Sequence, residues 1–423
     1  MLMKFIWLLF GLLVFFPSCE KEGNIEDTPP SLQRSYQFAD GKIPQNVLES
    51  YLSRSITQAE FLTSPPFYND GDYPDAEDDV RMLLNTGAKF IGRAIYSWNF
   101  PEHFNDPDFL GNAKKKVEEM HQKDPDLLFQ AAIFEIVSTK VEGLDIPDWV
   151  FGAFDLPYED RTFKYSNMLN TTGQYLNFWH QGASVPDISR IETQMFFYYM
   201  ACKYMEIGIE AIHFGQVELM AMTDKNNNYS GWSNLLQKVR KAASSKARRG
   251  TILCDGHLGT GGIVIDGKHL FDFVSFPMRA KEIMGEPQKA ELKVFYLDAI
   301  YRRTNGGITP SGWECDNIPY IVEFDNFGES DHPGTARLTD HFVWGYDEIS
   351  WFSNQPESYR NEFLAYAADW MNRVDPVGYI QMPGSRVSTG SDTRRYRCNT
   401  QSDNCKYGKS QEETIKKIWK EQQ

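Results

Sequence analysis

Short apolar runs alternate along the chain with longer stretches in which apolar residues recur at helical spacing. Seven runs predict buried strands, at residues 90–97, 127–137, 211–218, 251–256, 271–276, 320–326 and 378–382. Four longer stretches predict helices, at residues 112–122, 188–207, 232–247 and 357–372. Continuous apolar strands separated by helices are typical of a parallel sheet covered on both faces. The pattern therefore predicts an α/β fold with right-handed crossovers.

The number of strands favours a closed sheet. Seven strands are one short of a (β/α)8 barrel of the TIM type with loop insertions, which is the fold we predict. We expect the eighth strand in the aromatic-rich insertion at residues 140–187, with residues 348–352 as the alternative. An open doubly wound sheet is the second choice, because no glycine-rich dinucleotide fingerprint follows any strand.

The first residues of the chain predict export. Lys4 precedes an apolar stretch, residues 5–16, that is too short to span a bilayer as a mature helix. The stretch runs into Phe-Pro-Ser-Cys, which resembles a bacterial lipobox with Phe16 at the usual leucine position and implies lipidation of Cys19. We expect a lipid-anchored protein of the bacterial cell envelope, at the outer membrane or cell surface; an ordinary secretory signal is the alternative. The expected organisation is a signal peptide, a polar tether, and a barrel domain with a C-terminal tail, at residues 1–18, 19–55 and 56–423.

Composition and charge narrow the function classes. The 423 residues are 41% hydrophobic and 14% aromatic, which suffices for a large core and excludes disordered and coiled-coil classes. A net charge of -15 argues against nucleic acid as a partner, because phosphate contacts need clustered basic residues. Cys398 and Cys405 lie in the polar tail, where a local disulfide is the most economical pairing. Cys202 and Cys254 lie in apolar runs and are expected to behave as small buried hydrophobes.

Polar side chains gather near the ends of the predicted strands. In a TIM barrel the carboxyl ends of the strands form the active face. Carboxylates there, with arginine, histidine and tryptophan around them, are what a glycosidase requires: an acid at the leaving oxygen and a second carboxylate across the anomeric carbon. The residues that we expect at this face are Arg93, Trp98, Glu135, His213, Glu218, Asp255, His257, Arg279, Glu323 and Asp325.

Two of these glutamates carry a resemblance to a known group. If the unassigned strand precedes residue 211, Glu218 follows the fourth strand and Glu323 ends the seventh. That arrangement resembles the large clan of retaining (β/α)8 glycoside hydrolases, which implies that Glu218 is the acid/base and Glu323 the nucleophile. Val217 departs from the clan, which usually has asparagine at this position. The side chains expected to bind the carbohydrate substrate are Arg93, Trp98, Glu135, His213, Asp255, His257, Arg279, Trp313 and Asp325.

Other assignments of the same residues stay open. An inverting enzyme could use a pair drawn from Glu135, Asp255 and Asp325. Sugar-stacking platforms could come from loop tryptophans, and the insertion at residues 140–187 is expected to form one wall of the cleft. The candidate platforms are Trp98, Trp313, Trp344 and Trp351.

Metal and cofactor chemistry is not expected. Cys254, Asp255 and His257 form a potential ligand cluster, but successive strand residues point to opposite faces and would not converge on one ion. Neither a G-x-S-x-G elbow nor a P-loop occurs in the sequence. Two functions remain: a glycoside hydrolase for extracellular or periplasmic polysaccharides or oligosaccharides, and a non-catalytic carbohydrate-binding lipoprotein on the same scaffold.

Overall fold

The computed structural model describes residues 34–63, 77–389 and 395–422. Eight parallel strands form a closed barrel, because the first strand pairs with both the second and the last. This confirms the predicted (β/α)8 barrel of the TIM type. In chain order, strands β1 to β8 span Ser55–Gln58, Phe90–Tyr96, Leu128–Ala132, Ala211–Gln216, Leu253–His257, Val274–Pro277, Tyr320–Glu323 and Gly378–Arg386. The predicted signal peptide and Cys19 lie outside the described residues.

Ten α-helices accompany the barrel in the described ranges. Helices α1 to α10 span Gln45–Leu52, Glu77–Thr86, Pro107–Lys123, Asp148–Ala153, Ile191–Glu206, Val217–Met220, Ser230–Lys246, Glu348–Ser353, Glu357–Val374 and Glu412–Glu421. The four predicted helices correspond to α3, α5, α7 and α9. In the same ranges, none of the helices is long and apolar enough to cross a membrane.

Short strands decorate the connections between barrel strands. After β5 and β6, these short strands replace the usual covering helix. A further pair closes the base of the insertion after β3, and one strand pairs antiparallel with β8. The short strands span Val137–Ser138, Ala183–Ser184, Val264–Ile265, Lys268–His269, Lys281–Glu282, Ala290–Glu291, Gly307–Ile308, Glu314–Cys315 and Tyr396–Arg397.

The position predicted for the eighth strand is wrong. The strand missing from the prediction is β1. The insertion at residues 140–187 contains α4, short 3-10 turns and the two-residue strand Ala183–Ser184, which lies outside the barrel sheet, and residues 348–352 belong to helix α8. β1 reads Ser-Ile-Thr-Gln, so it lacks the apolar run used to recognise the other strands. Its Thr57 side chain is buried by polar contact within the barrel, where the hydroxyl donates to the amide oxygen of Gln381 at 3.0 Å. Because β1 precedes β4, strands four and seven keep their expected numbers.

The amino ends of the strands are closed by a second apolar cluster. Helix α1 carries Val47, Leu48, Tyr51 and Leu52 at helical spacing and packs them beneath the barrel. This part of the predicted tether, residues 45–52, is therefore a packed helix. Trp313 packs against the same cluster and donates its indole N–H to the carbonyl of Ile43 at 3.1 Å.

Buried cysteines line the outer core and the tail. Cys202 and Cys254 are fully buried, in agreement with their predicted role as small hydrophobes. Burial raises the pKa of the Cys398 thiol well above its usual range, with nearby acidic groups and Cys405 adding to the effect. The structure has Cys398 as a free thiol, so the local Cys398–Cys405 disulfide that the sequence predicts is not formed there.

Candidate active site

A cavity of about 260 Å³ opens at the carboxyl ends of the barrel strands. Its lining combines aromatic rings with charged groups, as expected for a site that binds a partly apolar, hydrogen-bonding ligand. The lining residues are Ala59, Arg93, Tyr96, Trp98, Phe134, Glu135, Trp179, His213, Gly215, Gln216, His257, Asp325, Asn326, Phe327 and Arg386.

Arg93 enters this cavity from a distorted position in β2. Its φ of 57° lies in the left-handed region, and the register between β2 and β3 shifts at this point. Such backbone strain in a non-glycine residue is costly and is concentrated at functional sites. The amide oxygen of Gln130 accepts a hydrogen bond from the Arg93 backbone N–H at 3.2 Å and supports the distortion. The bulge turns the guanidinium into the barrel mouth.

Glu323, at the end of β7, is enclosed by three basic side chains. Its Oε1 accepts from Nε2 of His257 at 2.7 Å and from Nη2 of Arg93. Its Oε2 accepts from Nη1 of Arg386 at 2.5 Å. Burial acts to raise its pKa, but Arg93, Arg386 and His257 outweigh burial and hold the pKa of Glu323 well below its usual range. Glu323 is therefore ionised, and its two oxygens are occupied by partners.

Asp255 holds His213 in one orientation beside this cluster. The two side chains are fully buried, with His213 Nδ1 2.8 Å from Asp255 Oδ2. Asp255 also accepts from Gln130 and from Ser275, at 2.7 Å and 2.8 Å. Burial, with the charge of Arg93 added, holds the pKa of His213 well below its usual range, so the imidazole is neutral. Burial also raises the pKa of Asp255 to about 7.

Three buried nitrogen atoms of this cluster lack hydrogen-bond partners within the described part of the chain. They are Nη1 of Arg93, Nε of Arg386 and Nε2 of His213, and all three residues line the cavity. A buried polar atom without a partner is costly in free energy, and in native proteins such atoms commonly bind water or ligand. An arginine N–H can only donate, whereas a neutral imidazole nitrogen can accept. The cavity floor thus offers complementary contacts to a hydroxylated ligand.

Glu135 lies in the loop after β3 and has a different electrostatic environment. Burial raises its pKa above the ordinary glutamate value, and the hydrogen bond from the Gln216 backbone N–H to Oε2, at 2.9 Å, offsets part of this effect. Gly215 makes this approach possible, because a Cβ at that position would collide with Oε2 of Glu135. Glu135 is thus a cavity carboxyl whose proton is retained more readily than that of an exposed glutamate.

Asp325 lies across the cavity from Glu135. It follows β7, which is opposite β3 in the closed order of eight strands. Arg386, at the end of β8, donates from Nη2 to Asp325 Oδ1 at 2.6 Å and to Asn326 Oδ1 at 2.9 Å. The Asp325 side chain is 14% exposed, compared with 1% for Glu323. Asp325 is therefore the more accessible of the two carboxylates near the end of β7.

One wall of the cavity is aromatic. Phe134 and Trp98 have ring centroids 5.2 Å apart, and Trp98 and Trp179 are 5.1 Å apart. Trp179 comes from the insertion, as expected for a wall of the cleft, and its indole N–H donates to the backbone carbonyl of Glu135 at 2.8 Å. This bond ties the aromatic wall to the loop that carries the Glu135 carboxyl.

The structure brings together most, but not all, of the residues predicted for the site. Arg93, Trp98, Glu135, His213, His257 and Asp325 line the cavity, and Asp255 supports it through His213. Glu218 lies on α6, is half-buried, and is not among the residues that line the cavity. Arg279 is engaged away from the cavity by Asp298 and Glu348.

Three tryptophans proposed as sugar platforms are packing residues instead. Trp313 lies at the opposite end of the barrel, against the cluster that closes it. Trp344 and Trp351 are buried in the core, with their indole N–H groups bonded to the carbonyls of Lys289 and Gln288. These stacking predictions are wrong, because a loop-like sequence context does not reveal that a ring is covered by the rest of the fold.

Sequence reasoning missed Arg386, Phe134 and Trp179. The prediction ended β8 at residue 382, before the Pro383–Gly384 pair. The strand continues to Arg386. A residue larger than glycine would be crowded at position 384, since a Cβ would lie 2.7 Å from the backbone carbonyl oxygen of Thr57. A polar residue after this glycine, near the end of the last strand, was the available signal.

Neither potential metal ligands nor similarity to known proteins assigns a further role to the residues of the cavity. Within residues 34–63, 77–389 and 395–422, no group of three or more His, Cys, Asp or Glu side chains is arranged to hold a metal ion. No protein-family model and no curated protein matches this chain.

Proposed function

We propose that this protein is a glycoside hydrolase that uses Glu135 and Asp325 as its two carboxyl groups. The observation that carries the proposal is their placement: both line one cavity, from opposite strands of the barrel, beside an aromatic wall. An aromatic face suits the apolar face of a sugar ring, and a pair of carboxyl groups on either side of the bond is what glycoside hydrolysis requires.

In this proposal Glu135 is the general acid. Its raised pKa favours the protonated form, which can give a proton to the leaving glycosidic oxygen as the bond to the anomeric carbon breaks. Asp325 accepts a proton from a water molecule whose oxygen forms the new bond to that carbon. Atoms and charge balance, because one water is consumed and the proton gained by Asp325 replaces the proton given by Glu135.

Glu323 is a positioning residue in the same proposal, in place of the nucleophile that the clan resemblance implies. Both of its oxygens are occupied by Arg93, His257 and Arg386, which lowers the availability of a lone pair for attack. Its role is to hold Arg93 and Arg386 at the cavity, where Arg386 contacts Asp325 and Arg93 offers an unused N–H group.

The direct test is turnover on carbohydrates. We expect the wild-type chain to release reducing ends from at least one polymer in a panel of mixed-linkage β-glucan, galactomannan, arabinoxylan and amylopectin. Glu135→Gln and Asp325→Asn should each lower kcat about 100-fold or more, while retaining affinity for that polymer. Turnover that is insensitive to both substitutions would disprove the assignment of the carboxyl groups.

A non-catalytic carbohydrate-binding protein is the second candidate. It is favoured because basic side chains occupy both carboxylate oxygens of Glu323, the residue that the clan resemblance makes the nucleophile. Such a protein would bind one polymer of the panel without releasing any reducing ends.

The lipid anchor at Cys19 is a further proposal, and Cys19→Ala should abolish incorporation of a labelled fatty acid in an expressing bacterium.

A further inference from the structure

Aromatic side chains continue from the cavity wall onto the protein surface. Beyond Trp98 and Trp179, Phe178 lies 5.0 Å from Trp179, and Tyr175 lies 5.4 Å from Phe178, measured between ring centroids. We call the set Phe134, Trp98, Trp179, Phe178 and Tyr175 the aromatic row. Phe178 is 49% exposed, so the row runs from a half-buried ring at the cavity, Phe134, to a ring in solvent.

The outer part of the row is held in place by a network of hydrogen bonds. Tyr175 and Asn177 have positive φ angles of 58° and 54°, which is costly for non-glycine residues. The hydroxyl of Ser184 accepts from the Asn177 backbone N–H, and the Asn177 side chain accepts from Gly182 N–H, both at 2.8 Å. Strain compensated in this way fixes the conformation of the exposed segment before any ligand arrives.

The exposed ring of Phe178, next to the half-buried rings of Trp179 and Tyr175, offers a binding surface in a fixed segment. Contiguous exposed apolar surface on a monomer marks a binding site more often than isolated exposed residues do. Here the surface is continuous with the cavity through Trp179, which lines it. A ligand that enters the cavity and extends outward on this side would lie against Phe178. A single sugar ring in the cavity would not reach it.

We infer that the aromatic row is a track for additional sugar residues, and that the substrate is a carbohydrate chain in place of a small glycoside. This inference rests on the proposed function, since it assigns the same ligand class to the cavity and to the surface next to it. The overall charge of -15 favours neutral chains, because a negative field repels polyanions. Stacking on each ring would add affinity to every sugar residue that reaches it.

The test compares chain lengths in two matched variants. Phe178→Ala removes a ring of the row, whereas Phe295→Ala removes a similarly exposed ring, 66% exposed, in the connection after β6. In the wild type, kcat/KM should rise with oligosaccharide length. Phe178→Ala should lower kcat/KM by about 5- to 10-fold on the longest oligosaccharide, with a smaller loss on the shortest. Phe295→Ala should follow the wild type at every length.

Retardation in gels containing the four neutral polymers supplies a readout that does not need catalysis. Weaker retardation of Phe178→Ala than of Phe295→Ala supports the track whether or not the protein turns over any polymer. If this difference is seen without turnover, only the hydrolase proposal is refuted. Turnover that is independent of chain length, with equal retardation of both variants, would refute the track and leave the hydrolase standing. If the wild-type chain shows no retardation and no turnover, the track and the hydrolase are both refuted.

Discussion

The ion-pair cluster around Glu323 permits a quantitative prediction about stability. Glu323→Gln keeps the shape of the side chain but removes its charge, and places an amide donor against one of the basic partners. Arg93 and Arg386 would then be buried with only part of their pairing. Breaking a buried pair by removing one partner costs about 3–5 kcal/mol, because the other charge is left uncompensated. We expect a loss at the lower end of this range, since Arg386 keeps Asp325 and the amide keeps one acceptor oxygen.

The pH dependence of this loss has a definite sign. The folded pKa of Glu323 is depressed, so the stabilisation is fully present above the unfolded-state pKa, about 4.3 for glutamate. It is lost only as the pH falls from there through the folded pKa. The difference between wild type and Glu323→Gln should thus be complete at pH 7 and should shrink under acid conditions.

The assay is urea unfolding at pH 7, followed by tryptophan fluorescence. Glu118→Gln is the matched control, because Glu118 is exposed on α3. Surface substitutions of this kind usually change the free energy of unfolding by no more than about 0.5 kcal/mol. Equal unfolding free energies for Glu323→Gln and Glu118→Gln would refute the view that Glu323 holds the cavity arginines in place.

Three further predictions concern the chemistry. The alkaline limb of the pH–rate profile should lie above the ordinary glutamate pKa of about 4.3, because the active form of Glu135 is protonated and its pKa is raised; a limb near 4.3 would exclude Glu135 as the acid. Gly215→Ala should displace the Glu135 carboxyl group and abolish turnover. The control Gly111→Ala, whose new Cβ meets no atom within 4 Å, should turn over substrate like the wild type, and equal activities of the two variants would contradict this account of Glu135. In the proposed roles a water molecule activated by Asp325 attacks the anomeric carbon directly, so the first product detected by NMR should have the inverted anomeric configuration, and retention would contradict the water-activating role of Asp325.

The barrel was predictable because seven of its strands carry short apolar runs that alternate with longer stretches of helical pattern. β1 could not be found in this way, because Ser-Ile-Thr-Gln has no apolar run. Its Thr57 finds a buried polar partner, Gln381 of β8, only when the barrel closes. Helix α1 was hidden for a similar reason. Its apolar residues occupy only two turns, and they gain a partner only when the amino ends of the strands come together.

The site was predictable in kind, but its roles were not. Placing polar residues at strand ends identified Arg93, Glu135, His213 and Asp325 correctly as neighbours of one cavity. The opposite electrostatic environments of Glu135 and Glu323 depend on residues far apart in sequence, such as Arg386 for Glu323 and Gly215 for Glu135. Spacing along the chain carries no information on such contacts, and the clan resemblance and the present proposal therefore assign the chemistry to different residues.

The measurement that tests the central claim most directly compares Glu135→Gln with Glu218→Gln in the release of reducing ends from one cognate polymer. Both substitutions remove a carboxyl group from the same side of the barrel, after β3 and after β4. We predict a loss of kcat of about 100-fold or more for Glu135→Gln, and near-wild-type turnover for Glu218→Gln. The reverse result would contradict our account and would restore the acid/base role to Glu218.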